Sequence, residues 1–231
     1  YEQDANYRIA HDFDAIFSCD RWGSNFYTRD KVWHLPLAAC PKLHFRPIDE
    51  DVERSIDVLF CGVAFTNRKD IIRGLLPTLR NLNIKIIGPG WGELGIGFSD
   101  ARVEKEQLVQ FYQRSKLVLN LGRSLSFENK RFMIAPSTPG PRTYEAAAAG
   151  AMQVFHEDTH EIRRYYTKDE IPSFSNRREF DQLIETYLEN GELRLETTRK
   201  AQARTMAEHT YGNRIRQALG ILKENGLLLH S

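Results

Sequence analysis

From residue 56 onward, short apolar runs rich in strand-forming residues alternate with amphipathic stretches, and this alternation restricts the chain to very few architectures. Residues 56–63 (IDVLFCGV) are apolar and contain the near-terminal Gly62, which predicts a parallel strand buried on both faces. Residues 69–82 place Ile71, Ile72, Leu75, Leu76 and Leu79 on one helical face, and Pro77 is expected to kink or shorten that helix. Further strands are predicted at 84–88, 117–121, 151–155 and 171–174. Helices are predicted at 104–116, 143–149, 161–166 and 178–190, with two more before the C-terminus. Gly150 and Gly191 are expected to stop the helices before them. Strand–helix–strand repeats imply right-handed crossovers, hence an α/β fold with a doubly wound, Rossmann-like parallel sheet. Ligands of such sheets bind at the carboxyl ends of the strands. Function is therefore expected in the loops 62–70, 88–102, 122–142 and 155–160.

Upstream, residues 12–20 predict a short strand and 32–37 an extended connector. Pro36, Pro41 and Pro47, followed by the charged tract 49–54, predict a linker. The expected division is 1–48 as the end of one domain with its linker, 55–209 as a ligand-binding domain, and 210–231 as a closing helix. With 32 Lys and Arg against 31 Asp and Glu, the net charge of +1 speaks against a nucleic-acid partner. No apolar run approaches the roughly 20 residues of a membrane span. Cys19, Cys40 and Cys61 are widely spaced, with no CxxC and no histidine cluster. They read as buried free thiols, with no metal site, in a reducing and cytoplasmic setting. The sequence begins at Tyr1 and shows no signal peptide.

The most informative stretch is 135–151 (APSTPGPRTYEAAAAGA). Gly140 permits close backbone approach or a positive φ, and Pro141 suits the first helical position. The helix N-terminus behind them offers free N–H groups and partial positive charge, which favour a phosphate, and Arg142 adds a bidentate cation. The small Ala146–Ala149 side chains let this helix lie close to the sheet. Glu145 could accept hydrogen bonds from two ribose hydroxyls. A plain turn, with Glu145 only complementing the helix dipole, fits the same residues.

The run Arg142-Thr143-Tyr144-Glu145 followed by four alanines and Gly150 resembles the R-x-x-E-A-x-A-x-G signature of GT-B glycosyltransferases of the group 1 type. The resemblance is to the branch named for the spore-maturation protein CgeB. Residues 57–62 with Asn67-Arg68, residues 86–91 (IIGPGW), residues 112–121 (YQRSKLVLNL) and His209-Thr210-Tyr211 with Arg214 resemble further family segments in the same order. The resemblance implies a GT-B C-terminal donor domain in which Glu145 holds the ribose. The loop around Gly140, with Arg142, would face the diphosphate, and Arg68 would be a second phosphate contact. Trp91 and the loop after it would lie near the base, with Val103 as a backbone contact, though a Trp after Pro-Gly is equally a packing anchor. Asn120 would orient its loop or satisfy a buried backbone group. Gly62, Gly90 and Thr143 complete the implied site. In place of the first acid of the family's E-x7-E pair stands Ser137, which puts the donor-sugar contact in doubt.

The resemblance also implies an acceptor domain of which residues 1–48 are only the end. Asp20, after the first predicted strand, is a weak catalytic candidate. Ile215, Leu219, Leu222 and Leu227 of the closing helix are expected to be partly exposed or covered by a partner. The function so implied is transfer of a sugar from a nucleoside-diphosphate sugar to an acceptor hydroxyl, with no cofactor or metal. A non-catalytic nucleotide- or phosphate-binding module, or a GT-B-folded epimerase or phosphorylase, is the alternative.

Overall fold

The computed structural model describes residues 5–95, 98, 99, 103–123, 133, 135–158 and 160–228. Strands β3 (Ile56–Cys61), β4 (Ile84–Ile87), β5 (Phe98–Ser99), β6 (Ser115–Asn120), β7 (Gln153–His156) and β8 (Ser173–Phe174) form one sheet in the order β5-β4-β3-β6-β7-β8. Every pairing in it is parallel. The order runs outward from β3 in one direction and from β6 in the other, so the loops after these two central strands diverge and leave a crevice between them.

Both faces of the sheet are covered, which is why the middles of its central strands, 58–60 and 117–119, are apolar without alternation. Val58, Phe60, Leu117, Leu119 and Val154 pack on one face with α2 (Thr66–Leu79) and α5 (Arg177–Glu189). Leu59, Ile87 and Val118 pack on the other with α3 (Lys105–Gln113) and Ala146 and Ala149 at the end of α4 (Pro141–Ala148). Pro77 lies inside the last turn of α2, which runs two residues past it. Gly150 takes the expected left-handed backbone, φ +73, after α4. Gly191 does not stop a helix as expected. It opens α6 (Gly191–Glu208), and Asn190 is the joint cap of α5 and α6, its side chain accepting from the Leu193 N–H at 2.9 Å. The predicted helix at 161–166 is a single 3-10 turn, Ile162–Arg164.

The N-terminal part holds β1 (Ile16–Ser18) and β2 (Val32–His34), paired in parallel. Residues 32–34 are thus a strand and not the expected connector. The linker contains one helical turn, α1 (Pro41–His44). The last helix, α7 (Tyr211–Glu224), begins with a capping box between Thr210 and Asn213. Its Arg214 is buried and donates to the carbonyls of Pro36 (2.9 Å) and Glu208 (3.1 Å). Ala39 bonds to both flanks of Thr210. The His209, Thr210 and Arg214 motif therefore ties the linker to the last helix. Arg214 lies over the ring of the wholly buried Tyr144, which also packs against His209 and Tyr166. Ile215 and Leu219 are 60% and 48% exposed on α7, as expected for that face.

His209 has a fixed tautomer. Nδ1 lies 3.2 Å from an Arg214 amino group and accepts from it, so Nε2 carries the proton and donates to the Tyr165 carbonyl at 2.9 Å. Burial lowers its pKa; the Tyr165 carbonyl opposes this and the Arg214 charge adds to it. A histidine held neutral in the fold contributes stability that is full above its unfolded pKa of about 6.5 and is lost as pH falls. Urea midpoints are expected to fall between pH 8 and pH 5, and His209→Gln is expected to flatten that fall.

Candidate functional site

A cavity of about 310 Å³ opens at the crevice between β3 and β6. Phe60 and Cys61 line it from β3, residues 118–123 from β6 and its loop, and Gly140, Pro141 and Arg142 from the start of α4. Phe155 and His160 close the β7 side, and Cys19 and Asp20 close the side of β1. The small strand pair is seated there by a His34 Nε2–Thr138 Oγ1 hydrogen bond (2.9 Å) and an Arg21–Glu161 ion pair (3.4 Å).

Arginines dominate the charge. Arg68, Arg123 and Arg142 all line the cavity. Arg68 lies over the rings of Phe65 (5.1 Å) and Phe60 (5.7 Å), and donates to the carbonyls of Gly122 (3.2 Å) and Val63 (3.1 Å). Gly62 makes room for it: a β-carbon there would stand 2.9 Å from the Arg68 guanidinium. Burial, then the like charges of Arg142 and Arg123, push the Arg68 pKa down to about 10. Asp158 offsets part of the Arg68 charge, and Tyr112, Cys61 and Glu145 hold the Arg142 charge against burial. Three guanidiniums on one cavity favour an anion. Gly140, the N-cap of α4, has φ −68, so positive φ is not its reason; a β-carbon would meet nothing within 4 Å, and the helix N-terminus stays open.

The other expected site residues divide into three groups. Asn120 and Asp20 line the cavity with Arg68, Gly140 and Arg142. Asp20 Oδ1 lies 3.5 Å from the Ser137 N–H, across from the α4 loop. Two side chains stand behind the cavity. Thr143 is fully buried, and its hydroxyl accepts from Asn120 Nδ2 at 2.8 Å, so it braces Asn120 and does not reach a ligand directly. Trp91 is wholly enclosed, with its indole N–H on the Gly62 carbonyl (2.8 Å) and its ring edge-on to Phe60. Its ring has no face left for a nucleotide base, which corrects the base-side expectation: the side chain is a packing anchor.

Gly90, Val103 and Glu145 stand outside the lining. Gly90 has φ +87, a turn conformation that glycine adopts readily, and Val103 is partly buried against the core face that holds Leu59 and Val118. Glu145 is half-buried, 3.9 Å from His44 Nε2. His44 Nδ1 accepts the Cys40 N–H (3.1 Å), so Nε2 is the protonated nitrogen turned toward Glu145. Glu145 acts electrostatically on Cys61, whose thiol burial pushes up, with Arg142 pulling it down and Glu145 raising it further. All three cysteines are free; Cys19, expected to be buried, is exposed. Among the described residues no cluster of three metal-ligating groups occurs. No helix among them is long and apolar enough to cross a membrane.

Sequence reasoning did not single out Arg123 or the pair Asp158 and His160, although both lie in loops it marked. The available signal was an acid two residues before a histidine, just past a buried strand.

The fold matches that of solved GT-B glycosyltransferases. The sucrose-phosphate synthase of Thermosynechococcus elongatus superposes with a TM-score of 0.65 at 13% identity, over 96% of this chain and 62% of that one. Anabaena HepE, solved with UDP and glucose, gives 0.67 at 13% identity, over 94% and 65%. The TarM structure gives 0.63 at 11% identity, over 92% and 44%. The chain thus spans 44–65% of the length of these three structures. No curated protein sequence matches it. The chain belongs to the glycosyl transferase-like family Glyco_trans_1_2, whose profile matches residues 68–220, well over half of it.

Proposed function

We propose that this chain binds a nucleoside-diphosphate sugar and serves as the donor half of a glycosyltransferase that passes the sugar to an acceptor hydroxyl. One observation carries the reading: Arg68, Arg123 and Arg142 converge on one cavity at the open N-terminus of α4, with the Arg68 charge strained by its neighbours. Preorganised positive charge of this kind stabilises the negative charge that develops on a departing diphosphate. Guanidiniums and helix N–H groups supply it, and in this reading transfer needs no metal. HepE, a structural neighbour, was solved with UDP and glucose, which supports a sugar nucleotide as the class of donor.

In this reading the ribose lies beside Glu145, past Arg142 and Cys61, and the base toward Val103. The division into 1–48, 55–209 and 210–231, the CgeB-like branch and a cytoplasmic location belong to the same proposal. Asp20 is the acidic group that the N-terminal part brings to the cavity, and it is the candidate to meet the acceptor. Ser137, in place of an acid, favours a second reading, a nucleotide-binding module without transfer. Its hydroxyl is buried with no hydrogen-bond partner among the described residues.

Thermal-shift measurements with UDP, GDP, TDP and ADP test the site, because a ligand of the folded state raises the melting temperature. No shift with any of them overturns the reading. Glu145→Ala is expected to weaken the binding nucleotide by about 1–3 kcal/mol, the usual loss for charged hydrogen bonds. Equal affinities in calorimetry would remove the ribose role.

A further inference from the structure

We propose that Asn120 recognises a hydroxyl of the bound nucleotide sugar: its side-chain carbonyl oxygen, held toward the cavity by Gln153 and Thr143, accepts a hydrogen bond from a ribose or sugar O–H. Gln153 is the positioning residue of this contact. This rests on the donor reading above and adds to it a direction of hydrogen bonding and a residue behind the cavity wall.

The orientation of both amides follows from one backbone group. The Thr143 carbonyl can only accept, so the Gln153 atom 2.9 Å from it is Nε2, which donates. Gln153 Oε1 therefore faces Asn120 and takes a hydrogen from Asn120 Nδ2 at 3.0 Å. The second hydrogen of Nδ2 goes to the Thr143 hydroxyl at 2.8 Å. Turning the Asn120 amide over would set its carbonyl oxygen against that of Gln153. Gln153 is 1% exposed, so no bulk water relieves such a clash and its cost would be that of unmade buried hydrogen bonds. Gln153 opens β7, Asn120 ends β6 and Thr143 stands in the first turn of α4, so three elements lock one amide.

Both Nδ2 hydrogens are engaged inside, and Oδ1 is the polar side-chain atom of Asn120 left for the cavity that the residue lines. Among the described residues no donor is bonded to it. The nearby Gly122 carbonyl, by contrast, already accepts from Asn67 (3.1 Å) and Arg68 (3.2 Å). Arg68, Arg123, Arg142 and the open end of α4 are donors, which suits phosphate oxygens. A carbonyl oxygen set among them has nothing to accept from an ionised diphosphate diester. It matches an O–H group, and a nucleotide sugar carries such groups on its ribose and on its sugar.

The experiment is calorimetry of the whole chain with UDP-glucose, GDP-mannose, ADP-glucose and TDP-glucose. The tightest of the four is then replaced by analogues that each lack one ribose or one sugar hydroxyl. Wild type is expected to bind one analogue about 3- to 10-fold more weakly than the parent, the range for a single uncharged hydrogen bond. Asn120→Ala is expected to weaken the parent by a similar factor and to bind that analogue as wild type does. Gln153→Met, which keeps the length and removes the fixed partner, is expected to show the same selective loss. Combining the two substitutions should add nothing to Asn120→Ala alone. Whether the hydroxyl so identified lies on the ribose or on the sugar distinguishes the two sources. Equal weakening of the parent and of every analogue in Asn120→Ala is the mark of a merely structural role and overturns this inference; so does an Asn120→Ala that binds the parent as wild type does. Either result leaves the donor site standing. No binding of any of the four overturns the donor reading and this inference with it. Should the variants fail to fold, the wild-type series decides: a loss confined to particular hydroxyls supports the contact, and a series without any loss overturns it.

Discussion

Arg142→Ala is expected to weaken nucleoside-diphosphate binding about 10- to 150-fold, the equivalent of the 1.5–3 kcal/mol of a hydrogen bond to a charged group. The ligand-free protein loses the attraction of Arg142 to Tyr112 and Glu145 and gains relief of its repulsion with Arg68, two changes of opposite sign, so its stability should change less than its affinity. Calorimetry with the nucleotide and a denaturant titration without it measure the two quantities separately. A variant that binds as well as wild type would remove the central cation of the site. Arg142→Lys is the informative companion: it keeps the charge and loses the planar fork, so its affinity should fall between the two.

Trp91→Ala is expected to lower stability by about 3–5 kcal/mol, the range for deleting a large buried aromatic side chain. For a chain of this length that corresponds to a fall of about 6–20 °C in Tm. The effect has two parts. The ring fills the core edge-on to Phe60, and its N–H is the donor to the Gly62 carbonyl. Trp91→Phe keeps most of the volume and leaves that carbonyl without its indole donor, at about 1–3 kcal/mol. Trp91→Phe should still bind the nucleotide. Loss of binding at unchanged stability would restore a ligand contact for Trp91.

The central sheet was legible in the sequence because the middles of its strands are buried on both faces: 58–60 and 117–119 are apolar without alternation. The start of α4 was legible for a different reason, since Gly140, Pro141 and Arg142 are each suited to an open helix N-terminus. What escaped depends on partners distant in sequence. The run 32–34 has a strand's composition, but only its pairing with 16–18 makes it one. Trp91 after Pro-Gly fits a surface loop as well as a core. Three residues before it, Gly88 takes a positive φ with its backbone against Gly62, and the Trp91 indole N–H reaches the same Gly62 carbonyl, a contact distant in sequence. Asp158 and His160 meet the arginines only because β7 lies beside β6, and pairing order is not written in either strand. Gly191 was misread for a local reason: Asn190 ends one helix and begins the next, and a glycine after the first looks like a stop.

Tyr144 sits between Thr143 and Glu145 on α4, two residues after Arg142. Its ring is keyed into a slot made by Arg214, His209 and Tyr166, so α4 cannot roll about its own axis. The carboxyl-terminal segment is thus the backstop for the end of that helix that lines the cavity. Changes in the tail would be transmitted as a rotation of Arg142 and Glu145 together.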